Sequence, residues 1–165
     1  MIKRKDIIKI AIDSPAAAGA GTQAKLIAKH YSLLPLDTGK CYRFIANIKL
    51  TEPLKFNYRY VKKKIDELKI KDLKNKKLLS DKVATVASII AKDKKIRKLV
   101  HSFQLKCAYN PPKKYKGSVL DGRDIGSVIV PDANVKLFIT ASLKVRALRR
   151  YKELKVKNNK ISYQE

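Results

Sequence analysis

Apolar positions along this chain fall into two rhythms, short unbroken runs and longer stretches with helical spacing, and the two alternate. The run "IIKIAI", residues 7–12, reads as a buried strand, with Lys9 an unexpected charge inside it. A loop, Asp13 to Gly21, follows. From Thr22, "TQAKLIAKHYSL" is spaced so that Ala24, Leu26, Ile27 and Tyr31 share a helical face. "LLPLDTG" reads as a second strand ending at Asp37. Strand, loop, helix, strand is the opening of a doubly wound sheet, and ligands of such sheets bind at the carboxyl ends of the strands. Asp13 and Asp37 both fall at those ends.

Further along, "KCYRFIANIKL" is helical. Residues 51–80 are lysine-rich and poorly periodic, which predicts a short helix within a small insert. The stretch from Ser80 to Asn110 predicts one long helix or two, with Ser80 as the N-cap. "PPKKYKG" is a loop. "SVLDGRDIGSVIVPDANVKLFITAS" then predicts a strand ending at Asp121, a turn, and a further strand "VKLFIT". Ser142 caps a last helix, "LKVRALRRYKELKVKN". "NNKISYQE" resumes an apolar and polar pattern and stops, which predicts a chain cut short. The alternation favours α/β over all-β, and 165 residues suit one domain with an insert.

Composition changes this picture in three ways. A hydrophobic fraction of 45% supports a core. The formal charge of +25, from 39 basic and 14 acidic residues, invites a nucleic-acid partner. The lysines are spread along the chain, however, and many alternate with apolar residues, as on the wet face of helices. That distribution reads as a generally basic surface, in whose field a small phosphorylated substrate also gains. Cys41 and Cys107 lack C-x-x-C spacing, so a zinc site is not expected, and free thiols in a reducing cytoplasm are. Asp6, Lys9 and Asp13 interrupt the N-terminal apolar run, which is too short for a secretory signal. With no apolar run of the ~18 residues a span needs, no membrane partner is expected.

The candidate chemistry begins at "SPAAAGAGT", Ser14 to Thr22. A phosphate loop has the form G-x-x-x-x-G-K followed by a hydroxyl residue. Here Ser14 stands at the first glycine and Ala20 at the lysine. Gly19 and Gly21 still permit close backbone approach, and N–H groups at a helix start hold phosphate oxygens without any side chain. The Thr22 hydroxyl can reach Mg²⁺. Losing one positioned donor costs about 3–4 kcal/mol of transition-state stabilisation. By itself the segment reads equally as an alanine-rich helix start with no ligand.

Two later segments decide between these. "LDTGKCYR", Leu36 to Arg43, and "LDGRDIGSVIVPDANVKLFITAS", Leu120 to Ser142, join the loop in fixed order. With "ASIIAKDKKIR", Ala87 to Arg97, and "RALRR", Arg146 to Arg150, the chain resembles the bacterial cytidylate kinases. That family carries G-P-x-G-x-G-K-G-T, L-D-[ST]-G-x-x-Y-R, D-G-R-D-[IM]-G and a lid with R-A-x-R-R. The DGRDIG block and the spacing of Ser88 to Arg97 separate it from adenylate and thymidylate kinases.

The resemblance implies a three-layer P-loop kinase fold: a doubly wound parallel sheet with an inserted region for the nucleoside monophosphate. It places the core at about residues 1–42 and 117–145, the insert at 43–116 and a partial lid at 146–165. It implies ATP on Ser14, Pro15, Ala16, Ala17, Ala18, Gly19, Ala20, Gly21 and Thr22. It implies CMP or dCMP at Asp37, Arg43, Ser88, Arg97, Arg123 and Asp124. Arg43 would hold the CMP phosphate, to which a guanidinium fork is matched. Ser88, Arg97 and Asp124 would read cytosine, whose amino group donates where uracil has no donor. Arg123 would lie against phosphate, Arg146 and Arg150 would belong to the lid, and Thr22 and Asp121 would serve Mg²⁺. The implied protein is a cytoplasmic monomer with ATP and CMP or dCMP as its partners.

The chain departs from the family pattern at Ser14, Ala17, Ala20 and Leu79, which replace three glycine or lysine positions of the loop and an arginine. The family also continues past Glu165 with further lid, strand and helix. Lys40 follows D-T-G where the family has a small residue, and is the candidate replacement for the lysine. Two other readings stand beside the kinase: an impaired homologue that binds nucleotide without chemistry, and a basic nucleic-acid-binding module.

Overall fold

The structure, a computed structural model, describes residues 7–157. The expected final element in "NNKISYQE" lies outside the described residues. Four parallel strands form one sheet: β1 (Ile8–Asp13), β2 (Leu34–Asp37), β3 (Gly117–Gly122) and β4 (Val135–Phe138). Their order across the sheet is β2-β3-β1-β4. Six α-helices are described among these residues: α1 (Ala20–Tyr31), α2 (Gly39–Thr51), α3 (Tyr58–Asp66), α4 (Asp81–Ile90), α5 (Lys94–Tyr109) and α6 (Leu143–Lys157).

Strand alternation sorts the core into two layers. Ile10, Ile12 and Val119 face one side, where Ala20, Ala24 and Ala28 of α1 pack on them. Ala11, Leu34, Leu36 and Leu120 face the other, under α2 to α5. With both faces of β1, β2 and β3 covered the sheet is a three-layer α/β fold, as parallel sheets require, while β4 is exposed along its length.

The buried face of α1 is an alanine stripe rather than the larger residues its periodicity suggests. Ala24 and Ile27 pack inward, but Leu26 and Tyr31 are more than half exposed. Small residues at Ala20, Ala24 and Ala28 let the helix lie close to the sheet, and that closeness turns the bulkier side chains outward. The helix also begins two residues before Thr22, at Ala20.

The 80–110 stretch is two helices. Ser80 caps α4 by accepting from the Val83 N–H at 3.3 Å, and Asp93 caps α5 through the N–H groups of Lys95 and Ile96. The lysine-rich insert holds α3 and three short 3₁₀ turns, anchored by buried Val61, Ile65, Leu68, Leu73 and Leu78. Lys9 is accommodated inside β1 by two partners. Its ammonium pairs with Asp132 at 3.5 Å and lies over the Tyr109 ring, whose hydroxyl donates to the same carboxylate. The turn after Asp121 is one wide helical turn, Ile125–Ile129.

Candidate active site

The carboxyl ends of β1, β2 and β3 open into a cleft of about 1000 Å³. Because β1 connects outward to β2 on one side while β3 feeds β4 on the other, the sheet reverses its winding between β1 and β3. Ligands of doubly wound sheets bind at such a reversal.

The loop from Ser14 forms the cleft floor. Ser14 is tied to β3 by its N–H on the Gly122 carbonyl at 3.2 Å. Ala17 and Gly19 hold positive φ, 59° and 101°. Such reversals aim successive N–H groups into a concavity. Those of Gly19, Ala20 and Gly21 have no acceptor among the described residues. The α1 dipole points into the same place. A left-handed alanine costs about 1–2 kcal/mol against the right-handed region. Ala17→Gly is therefore expected to stabilise the chain by about 0.5–1 kcal/mol, after the larger entropy loss of glycine, in urea unfolding.

Two carboxylates stand beneath the loop. Asp37 and Asp121 are directly paired in the β2–β3 register. A Cβ on Gly21 would lie 3.6 Å from Asp121 Oδ2, so this carboxylate abuts the loop. Burial and the neighbouring Asp37 charge push Asp121 up to about 7, against the opposing pull of Lys40 and Lys25. Thr38 locks the two strand ends together, its hydroxyl donating to the Asp121 carbonyl at 2.9 Å. Gly122 is obligatory there, since a Cβ would fall 2.0 Å from Thr38 Oγ1. No group of three or more metal-ligating side chains occurs among the described residues. A carboxylate pair beside a phosphate cradle still suits Mg²⁺, which is held by one or two carboxylates and by substrate phosphates. The like-charge strain on Asp121 is what a bound cation relieves.

The cleft brings together Lys40, Arg43, Arg97, Arg123, Asp124, Arg146 and Arg150 with the loop and the carboxylates. Arg43, on α2, is steadied by donating to the Leu78 carbonyl at 3.0 Å. Arg97 and Asp124 face each other at 3.8 Å, each about half exposed. Tyr42 lies near both, half-buried, its phenol pushed up chiefly by that burial. Arg123 is exposed at the rim.

Ser88 does not join this group. It sits on an exposed part of α4, outside the cleft lining, with its hydroxyl donating to the Thr85 carbonyl. Asp13 is also diverted. Its carboxylate accepts from the N–H groups of Ile125 and Gly126 at 2.7 and 2.9 Å, which pins the wide turn to β1.

Arg149 was not legible as a loop residue. From α6 its Nη1 reaches the Ala17 and Ala18 carbonyls, at 3.3 and 2.8 Å. Arg146 reaches Ala16 from the same face, and Arg150 pairs with Asp81 of α4. The three-residue spacing of Arg146 and Arg149 is the signal, because it puts them on one side of a helix.

A phosphate loop leading a helix, at the winding reversal of a parallel sheet, defines a protein of the P-loop kinase fold. Residues 10–165 match the family described as cytidylate kinase, and the chain belongs to that family. It is 43% identical over 142 residues to the cytidylate kinase of Bradyrhizobium sp. (strain ORS 278), covering 86% of this chain and 65% of that protein. To that of Bartonella quintana it is 41% identical, over 94% of this chain and 71% of the relative. The match to Azorhizobium caulinodans is also 41%, over 94% and 73%. The chain thus spans about two thirds of the length of these relatives.

Proposed function

We propose that this chain transfers the γ-phosphoryl group of ATP to CMP or dCMP. The observation that carries the proposal is the meeting, in one cleft, of the unsatisfied loop N–H groups, the Asp37–Asp121 pair and the arginines of α2, α5 and α6. The relatives named above carry the same activity in their names.

In this reading ATP lies on Ser14 to Thr22, its phosphates on the free N–H groups. Arg43 holds the CMP phosphate from the opposite wall, with Asp37 near the ribose end. Arg97 and Asp124 exchange their mutual contact for the edge of cytosine, and Arg123 lies against the transferring phosphate. Ser88 would read the base only if α4 moved. Arg146 and Arg150 close the cleft from α6. Lys40, beside Asp121, adds positive charge where the phosphates meet the carboxylates. Residues 43–116 then form the monophosphate-binding insert, 1–42 and 117–145 the core, and 146–165 the first part of a lid.

A CMP phosphate oxygen forms the new bond to the γ-phosphorus. The bond from that phosphorus to the β–γ bridging oxygen breaks, and ADP leaves. The attacking oxygen is already anionic, so no strong general base is needed, and catalysis is positioning and charge neutralisation. Mg²⁺, held by Asp121 and Thr22, would supply charge neutralisation across the phosphates. The residues present fit it.

Two buried free thiols, Cys41 and Cys107, suit a reducing cytoplasm, and we read the chain as a monomer there. No described helix is long and apolar enough to cross a membrane.

A second reading, nucleotide binding without transfer, is favoured by Ala20 at the lysine position. ADP release from Mg·ATP, measured with CMP, dCMP or UMP on the 165-residue chain, separates the two. Turnover with CMP or dCMP well above that with UMP is expected. Absence of turnover, with CMP still raising the melting temperature, would leave only the binding reading.

A further inference from the structure

We propose that Gln104 is a substrate contact: its side-chain amide hydrogen-bonds the pyrimidine ring of the monophosphate at the floor of the cleft. The inference rests on the CMP reading of this cleft and adds a residue to it.

The first observation is an amide with nothing to bond. Gln104 is only 3% exposed, and the other buried polar residues among those described are Thr38 and Ser118. Each of these two spends its hydroxyl on a backbone carbonyl, at 2.9 and 3.1 Å. The Gln104 amide has no hydrogen-bond partner among the described residues. Nor is it sealed in the core, a state that among the described residues belongs to Nε2 of His101. It lines the cleft. Burial strips water from an amide, and without a partner the loss is uncompensated. A ligand in the cleft supplies the compensation.

The second observation is where the amide points. Helix α5 descends from the cleft to the start of β3. Near its upper end Arg97 faces Asp124, and near its lower end the Ala108 carbonyl accepts from Ser118. Gln104 lies seven residues below Arg97, hence on the same helical face and about 10 Å deeper. Helical side chains lean toward the N-terminus of their helix. The amide is therefore aimed up the cleft wall, toward the Arg97–Asp124 pair and Tyr42.

The third is a gap in the groups that would read the base. Ser88, expected to be one of them, lies outside the cleft lining with its hydroxyl on Thr85. Arg97 and Asp124 are both charged and face each other. Gln104 supplies the uncharged group. Its amide offers a donor and an acceptor side by side. Cytosine presents the matching pair, an acceptor at N3 beside the donor at its amino group.

The test replaces Gln104 by an apolar side chain of nearly the same shape. Binding of CMP, of dCMP and of β,γ-imido-ATP with Mg²⁺ is measured by calorimetry on the full chain and on Gln104→Met. The substitution is expected to weaken CMP and dCMP alike, about 10-fold, and to leave the ATP analogue within about two-fold. It is also expected to raise the ligand-free melting temperature by about 3 °C, because an unpaired buried amide is gone. In the unsubstituted chain, the side-chain amide proton resonances that Gln104→Met removes are expected to move downfield with CMP and to stay in place with the ATP analogue. Unchanged CMP binding, or resonances that ignore CMP, overturns this inference alone. So does a lower melting temperature with equal losses for all three ligands, which would make Gln104 a structural support. A loss for CMP that spares dCMP overturns the ring contact in favour of the 2′-hydroxyl. A wild-type chain that binds no CMP overturns the CMP reading together with this one.

Discussion

Asp121→Asn is expected to make the Mg²⁺-free chain more stable at pH 8 and to leave its stability unchanged at pH 4. Burial and the Asp37 charge hold the Asp121 carboxyl up to about 7 in the folded chain. An unfolded aspartate titrates near ~3.9. Between these values the folded state keeps a proton that the unfolded state has lost, so stability falls as pH rises through the window. Below about pH 4 both states are protonated and the penalty is absent. Above about pH 7 it is complete, on the order of 4 kcal/mol at ~1.4 kcal/mol per pH unit. Asparagine cannot ionise and escapes the penalty. Urea unfolding at the two pH values, with chelator present, measures this directly. A destabilised Asp121→Asn at pH 8 would mean that the carboxylate is stabilised by partners and is not under strain. The same substitution is expected to lower Mg²⁺-dependent transfer at least ~100-fold, since an amide neither neutralises nor orders the cation. Stability gained where activity is lost is the signature of strain kept for function.

Gly117→Ala is expected to destabilise the chain by about 3 kcal/mol or more, through backbone collision. Gly117 opens β3 opposite Ile8 of β1, at the centre of the sheet. A Cβ there would lie 1.9 Å from the Ile8 carbonyl oxygen and 2.7 Å from the Ile8 nitrogen. Backbone on the central pair cannot yield without parting the ladder that sets Asp13 and Asp121 at the cleft. A chain of this size should lose roughly 10 °C in melting temperature. Gly21→Ala is the control. Its Cβ would meet only Asp121 Oδ2, at 3.6 Å, an ordinary contact. That variant is expected to melt within about 3 °C of wild type. Equal melting of Gly117→Ala and wild type would show that β1 and β3 have room to separate.

Much of the site was legible because it is written in short local signals. The runs at residues 7–12, 33–37 and 118–121 are strands because apolar residues there are continuous and bounded by turn residues. Ser80 stops one segment and starts α4 because its hydroxyl caps a nearby N–H. The Ser14–Thr22 loop, Asp37, Asp121 and the arginines of the cleft could be named because each belongs to a motif a few residues long. Periodicity was less informative where an element is covered on one side by small residues. In α1 it pointed to Leu26 and Tyr31, whereas alanines make the close contact.

The sequence by itself determined the element order, the parallel α/β class, the phosphate loop and the carboxyl-end placement of its acids. Only the tertiary structure decided which charges meet. It gave Lys9 to Asp132, turned Asp13 to the wide turn, left Ser88 outside the cleft and carried Arg149 into the loop. Local spacing is set by the helix and strand repeats, which the chain carries in every few residues. Contacts between Ala18 and Arg149 depend instead on strand order and on how closely α1 and α6 approach the sheet ends. Those are properties of the packed whole, and no stretch of sequence holds them.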